Sequence, residues 1–134
     1  MSHYLVKIVV ANADAVISVS KGETSLHRVT ACQGVRRGAP NTYLIVDMPF
    51  GAYHASVEDA VRNAVRFYKE ADVDAIKLEG GVAVADKIEA IAKAGMVVFG
   101  HIGLTPQSSA SMGGFKAQGR TTDSARAVIE DALA

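Results

Sequence analysis

Short apolar runs of four or five residues recur along this chain, and each is followed closely by a turn residue or an ionisable group. Residues 43–46, Tyr-Leu-Ile-Val, form such a run, whose length and β-branched content suit a strand buried on both faces. The same pattern at residues 15–19, 75–78 and 96–99 predicts three further strands. Residues 1–13 are ambiguous, since they fit either a strand or one face of a buried helix.

Segments with helical periodicity separate these runs. Apolar residues at three- and four-residue spacing predict helices over residues 23–37, 56–72, 84–94 and 122–133. Ser56 is expected to cap the second helix and Thr122 or Asp123 the last one, while Gly95 is expected to end the third. The second helix should face the core with Val57, Ala60, Val61, Ala64, Val65 and Tyr68. This alternation implies a single α/β domain, residues 1–134, with a parallel sheet and right-handed crossovers.

Three of the predicted strands end in ionisable groups. Asp47 closes the run 43–46 and is followed by Pro49, while Lys77, Glu79 and His101 lie at or just beyond the ends of the next two runs. The carboxyl ends of parallel strands meet at one edge of a sheet, where α/β proteins place their chemistry. Purely structural roles remain open: Asp47 as a turn cap, Lys77 as a surface residue, and His101 bonded to a loop carbonyl.

Composition narrows the class of protein. The chain has 134 residues, 49% of them hydrophobic, which is enough to bury a core. Its formal net charge is zero, so it lacks the excess of positive charge that is typical of nucleic-acid-binding proteins. No apolar run approaches the roughly 20 residues of a membrane span, and no signal peptide is expected. The single cysteine, Cys32, excludes an internal disulfide and favours a reducing, cytoplasmic location. Glycine-rich nucleotide-binding motifs have no match.

Five blocks give the chain a specific resemblance. They are VRRGAPN at 35–41, VDMPFGAY at 46–53, AIKLEGG at 75–81, GHIGLTPQ at 100–107 and GGFKAQGR at 113–120. In this order and spacing they resemble the ketopantoate hydroxymethyltransferase family, over residues 14–134. The resemblance implies an oligomeric TIM-barrel enzyme that binds Mg²⁺ and the α-keto acid 3-methyl-2-oxobutanoate. It also implies methylene-tetrahydrofolate as the donor of the hydroxymethyl group.

The resemblance also implies roles for individual residues. Asp47 and Glu79 match the metal-associated carboxylates of the family, and Lys77 matches a lysine that contacts the keto acid. His101 matches a histidine of the same pocket, so Asp47, Lys77 and His101 are expected to line the substrate site. Such a set suits enolate formation, since Mg²⁺ prefers oxygen ligands and acts as a Lewis acid.

The chain departs from the family in two ways that bear on activity. Where the family has a G-D-S-L-G block, this chain reads Val19-Ser20-Lys21-Gly22. Ser20 is expected to keep the substrate-contacting serine role, but the metal-associated aspartate is absent and Lys21 lies in or beside its place. The family's general base, a glutamate on the sixth barrel strand, has no counterpart. These departures predict an impaired transferase, with a non-catalytic relic or a keto-acid binding module as alternatives.

The length of the chain leaves two folds open. A TIM barrel takes typically 200 or more residues, so the resemblance implies a partial barrel of about four βα units, completed by a second copy of the chain. The alternative is an open, flavodoxin-like, doubly wound sheet of five strands. An additional strand at residues 4–10 would favour that alternative.

Overall fold

The computed structural model describes the backbone of residues 7–11, 14–18 and 25–134, with side chains from residue 28 onward. The strands are β1 (Lys7–Ala11), β2 (Asp14–Ser18), β3 (Tyr43–Asp47), β4 (Ala75–Glu79) and β5 (Val97–His101). The helices are α1 (Ser25–Gly38), α2 (Val57–Ala71), α3 (Ala85–Lys93) and α4 (Thr122–Leu133), with short 3₁₀ turns at Val82–Val84 and Pro106–Ser108. The predicted helices and strands are confirmed, with ends shifted by one or two residues. Within the ambiguous first segment, Lys7–Ala11 is a strand.

The five strands form one sheet in sequential order, β1-β2-β3-β4-β5. The pairs from β2 to β5 are parallel, whereas β1 runs antiparallel to β2. A doubly wound sheet reverses its strand order at a switch point, and the described strands contain no such reversal. The flavodoxin-like alternative is therefore correct in its count of five strands but wrong in their order. Consecutive parallel βα units are consistent with a portion of a TIM barrel.

The hydrophobic core lies between one face of the sheet and the helices. Alternate strand residues, including Val46, Ile76 and Leu78, pack there with Phe67 of α2. The buried positions of α2 are Ala60, Ala64, Phe67 and Ala71. The predicted stripe is confirmed in large part, since Ala60 and Ala64 are buried and Val61, Val65 and Tyr68 pack against the core. It omitted the buried Phe67 and Ala71.

Two of the three predicted helix ends are confirmed. The Ser56 hydroxyl accepts a hydrogen bond from the Asp59 backbone N–H at 3.1 Å, which caps α2. Gly95 follows α3 with a φ of 93°, the left-handed conformation that glycine adopts readily. The cap of α4 was predicted one or two residues too late. Thr121 fills that position in a reciprocal capping box with Ser124, because its extended backbone leaves the hydroxyl facing the helix N-terminus.

Helix α4 packs less closely than the other helices. None of its residues is buried, and Ile129 and Leu133 are exposed. Near its end, Asp131 Oδ1 accepts a 3.0 Å hydrogen bond from the Val82 N–H. No helix among the described residues is both long enough and apolar enough to cross a membrane.

Candidate active site at the carboxyl ends of the strands

Strand register places four predicted site residues on one face of the sheet. Asp47 lies opposite Lys77, and Glu79 lies opposite His101. Residues paired across parallel strands point to the same face, as do residues two apart on one strand. Alternate residues such as Val46 and Leu78 face the core helices. The four side chains therefore share the opposite face of the sheet, which we call the helix-free face. The predicted convergence of Asp47, Lys77, Glu79 and His101 at the strand ends is confirmed.

Asp47 is buried beside a cation. Its side chain is 2% exposed, and Oδ1 contacts the Lys77 ammonium in an ion pair while accepting no hydrogen bond of good geometry. From the helix side, Arg28 of α1 donates a 2.7 Å hydrogen bond to the Asp47 main-chain carbonyl. Arg28 is itself 1% exposed. The Lys77 ammonium thus balances the negative charge of the Asp47 carboxylate, and Arg28 holds the Asp47 main chain from the helix side of the sheet.

Glu79 is the second buried carboxylate. Its Oε2 accepts a 2.7 Å hydrogen bond from the Gln107 backbone N–H, and its Oε1 lies 3.7 Å from His101 Nδ1. Burial raises the pKa of Glu79, and the Gln107 N–H and the nearby His101 and Lys77 oppose that rise. Since the rise prevails, the site favours the protonated form of Glu79 more than water does.

Two residues without a predicted role complete the site. The Tyr53 hydroxyl lies 3.0 Å from Gln107 Oε1 and 3.3 Å from both the backbone N and O of Glu79. Gln107 Nε2 donates a 2.8 Å hydrogen bond to the Met48 carbonyl. Burial raises the pKa of Tyr53 to about 12, so its hydroxyl stays protonated near neutral pH. Both residues close a sequence block of the family resemblance, the only sequence signal that marked them.

Other candidate residues stand apart from this group. Ser20 and Lys21 lie outside the described residues. Cys32 is buried on α1, and burial raises the pKa of its thiol to about 11, which disfavours the reactive thiolate.

The carboxylates suit a hard cation. Within the part of the chain that the structure describes, no three His, Cys, Asp or Glu side chains group closely enough to hold a metal ion by themselves. Mg²⁺ needs fewer protein ligands, because it keeps several waters and binds through one or two carboxylates. Asp47 Oδ1 accepts no hydrogen bond, and it is a buried oxygen on the same face as Glu79. The donor set of Asp47 and Glu79 thus fits Mg²⁺ with water completing its shell, and such an ion would share Asp47 with Lys77.

Comparison with known proteins gives one consistent family. The family model described as ketopantoate hydroxymethyltransferase matches residues 7–134. Three curated relatives, each named 3-methyl-2-oxobutanoate hydroxymethyltransferase, illustrate the range of similarity. The protein of Alkaliphilus metalliredigens is 69% identical over 105 residues, which is 78% of this chain and 37% of the relative.

The other two relatives align over more of this chain. The protein of Heliobacterium modesticaldum is 50% identical over 127 residues, covering 95% of this chain and 45% of its own length. The protein of Bacillus subtilis is 42% identical over 126 residues, covering 94% and 44%. The chain therefore spans less than half the length of these curated relatives.

Proposed function

The chain belongs to the ketopantoate hydroxymethyltransferase family, and from that premise we propose that it forms the Mg²⁺- and keto-acid-binding part of such a transferase. The substrate would be 3-methyl-2-oxobutanoate, and methylene-tetrahydrofolate would donate the hydroxymethyl group. The observation that carries the proposal is the grouping of Asp47, Lys77, Glu79 and His101 on the helix-free face at the carboxyl ends of three consecutive parallel strands.

Each of these side chains has a role that its chemistry supports. Asp47 and Glu79 would hold Mg²⁺, which supplies Lewis-acid stabilisation of enolate charge and orients the keto acid. Lys77 is the cation nearest to Asp47 Oδ1 and would pair with the substrate carboxylate as a point charge. His101, beside Glu79, would donate a hydrogen bond or transfer a proton at the substrate oxygen.

We propose further that a closed barrel forms around this site. The helix-free face carries Val97 and Phe99, which are 49% and 43% exposed, and β5 is an edge strand of the described sheet. An apolar face beside an open edge favours association. A second copy of the chain is the partner that we propose, since its β5 edge and helix-free face offer the same chemistry.

A keto-acid binding protein without full transfer is the second candidate. It is favoured by the Val19-Ser20-Lys21-Gly22 stretch, where the resemblance implies an aspartate and this chain has a lysine. The loss of one metal-associated carboxylate would weaken the hold on Mg²⁺. Beside the exposed Phe99, the side chains of Lys77 and His101 are 20% and 33% exposed, so water reaches the two groups that would contact the keto acid and weakens their electrostatic effect.

Deuterium exchange separates the two candidates. The 134-residue protein is incubated with 3-methyl-2-oxobutanoate and Mg²⁺ in deuterated water, and the substrate C3 proton is followed by NMR. The transferase proposal predicts exchange above the protein-free rate that Asp47→Ala abolishes. Asp123→Ala is the matched control, since it removes an acid from the first turn of α4 instead of from the site.

Each other outcome has one meaning. Calorimetric binding of the keto acid that requires Mg²⁺, with no exchange, supports the binding protein and overturns the transferase chemistry. The absence of both signals overturns both candidates and favours a non-catalytic relic. Equal loss of exchange in Asp47→Ala and Asp123→Ala shows that the exchange does not take place at the strand ends.

A further inference from the structure

We propose that Gln107 is a positioning residue that fixes the orientation of the Glu79 carboxylate from the loop after β5. The inference rests on the proposed function in so far as Glu79 is taken to hold Mg²⁺. The positioning itself depends only on hydrogen bonds within the protein, so it can be tested whether or not metal binds.

The main chain of residue 107 makes the contact with the carboxylate. Its N–H donates to Glu79 Oε2 at 2.7 Å, and both residues are buried, Glu79 at 6% exposure and Gln107 at 8%. A hydrogen bond to a charged acceptor is stronger than one between neutral groups. It holds one oxygen of the carboxylate and leaves Oε1 towards His101.

The Gln107 side chain anchors that main chain to two other elements. Its Nε2 donates to the carbonyl of Met48, just after β3, and its Oε1 accepts from the Tyr53 hydroxyl in the loop before α2. The opposite amide orientation would place the Gln107 oxygen against the Met48 carbonyl, which can only accept. The neighbours therefore select one orientation of the amide.

The surrounding loop explains why an anchor is needed. Between residues 101 and 121, Thr105 and Gln107 are the buried residues. Gly103, Gly113, Gly114 and Gly119 all have positive φ, and they are intrinsically flexible positions. Gln107 lies in the 3₁₀ turn Pro106–Ser108, whose internal hydrogen bonds shape the turn but do not attach it to the sheet. The bonds of the Gln107 side chain attach the turn and so hold the N–H at Glu79.

The test replaces one glutamine at a time. Gln107→Met keeps the length of the side chain and removes both amide hydrogen bonds, and Gln118→Met is the matched control. Gln118 lies in the same loop and bonds only locally, to the Lys116 carbonyl at 2.9 Å. We expect Gln107→Met to speed native-state hydrogen exchange of the residue 107 amide by roughly tenfold or more, because without the side-chain anchors the N–H is no longer held at Glu79 Oε2. In Gln107→Met the exchange rates of the β4 amides should stay unchanged. In Gln118→Met the exchange rate of the residue 107 amide should stay unchanged as well.

Mg²⁺ affinity, measured by calorimetry, gives the second readout. Changing a group that orients a metal ligand typically weakens affinity by about 10- to 100-fold, so Gln107→Met should fall in that range and Gln118→Met should not. In a Glu79→Gln background the Gln107→Met change should have no further effect. A merely structural role for Gln107 would instead weaken binding to the same degree in both backgrounds.

The failures can be told apart. If the unaltered protein binds no Mg²⁺, the proposed function fails, and amide exchange alone decides the positioning role. Unchanged exchange at residue 107 in Gln107→Met overturns the positioning role whatever the metal result. If Gln107→Met does not fold, Tyr53→Phe removes one anchor of the side chain and should speed exchange at residue 107. No acceleration in that variant also overturns the inference.

Discussion

At the scale of single residues, the site depends on charges removed from water. Asp47 is 2% exposed and Lys77 20%, so their ion pair is mostly desolvated. A charge left alone in such a place is costly, whereas a pair at the surface contributes little. The ion pair therefore stabilises the contact between the ends of β3 and β4, in addition to any role with substrate.

Lys77→Met should expose that dependence. It leaves the Asp47 carboxylate buried without its cation, and we expect a loss of about 2–3 kcal/mol, below the full penalty for a buried pair because Lys77 is partly exposed. Urea unfolding at neutral pH without metal measures it. Lys93→Met breaks the exposed pair with Glu89 and should change stability by less than about 0.5 kcal/mol. Equal effects of the two variants would show that Lys77 does not stabilise Asp47.

Cys32 provides a pH test at the same scale. Burial raises the pKa of its thiol from 9.0 to about 11. A group whose pKa is raised on folding holds its proton more tightly in the folded state. Its contribution to stability is therefore complete below about pH 9 and is lost as the pH rises towards about 11.

We expect alkylation of Cys32 by iodoacetamide to be slow at pH 8 and to become rapid in denaturant. The rate in the folded protein should rise with pH up to about 11 without levelling off earlier. A plateau below pH 9 would contradict the direction of the shift. Cys32→Ala is the control for alkylation at other side chains.

At the scale of elements, the helices differ in what depends on them. Helix α2 contributes Phe67 and three alanines to the core, whereas α4 has no buried residue. Both have side-chain N-caps, at Ser56 and Thr121. Identical capping chemistry should therefore have different consequences for the whole protein.

Ser56→Ala should lower the global free energy of unfolding by about 1 kcal/mol, the usual cost of losing a hydroxyl cap. Thr121→Ala should leave global unfolding nearly unchanged and speed hydrogen exchange only within α4, because little of the core depends on that helix. Denaturant unfolding followed by circular dichroism, together with exchange measurements, checks both. A global loss in Thr121→Ala as large as in Ser56→Ala would show that α4 is part of the core.

The elements were predictable because their signals are local. Apolar runs of strand length and a capping serine three residues before Asp59 require no knowledge of the rest of the molecule. The roles of Tyr53 and Gln107 could not be deduced in this way. Each bonds to atoms 26 to 59 positions away along the chain, and only the folded sheet brings those atoms together. The cap at Thr121 was missed for a smaller reason, since three adjacent polar residues all make plausible caps.

At the scale of the whole molecule, the helix-free face exposes apolar side chains that a partner could cover. Phe99 lies on that face at the β5 edge and is 43% exposed. If a second copy covers it, light scattering should give a mass of at least two chains, and Phe99→Asp should shift the protein towards the monomer. Phe115→Asp is the matched control, because Phe115 is 73% exposed in the loop before α4. A stable monomer for the unaltered chain would contradict the proposed partner.

The antiparallel pairing of β1 with β2 has a geometric consequence for any such ring of strands. Going once around a cylinder, each reversal of strand direction must be matched by another. While β1 keeps its place beside β2, a cylinder that includes it has an even number of opposed junctions and at least two. An all-parallel cylinder therefore requires β1 to give up its position beside β2, whichever chain supplies the remaining strands.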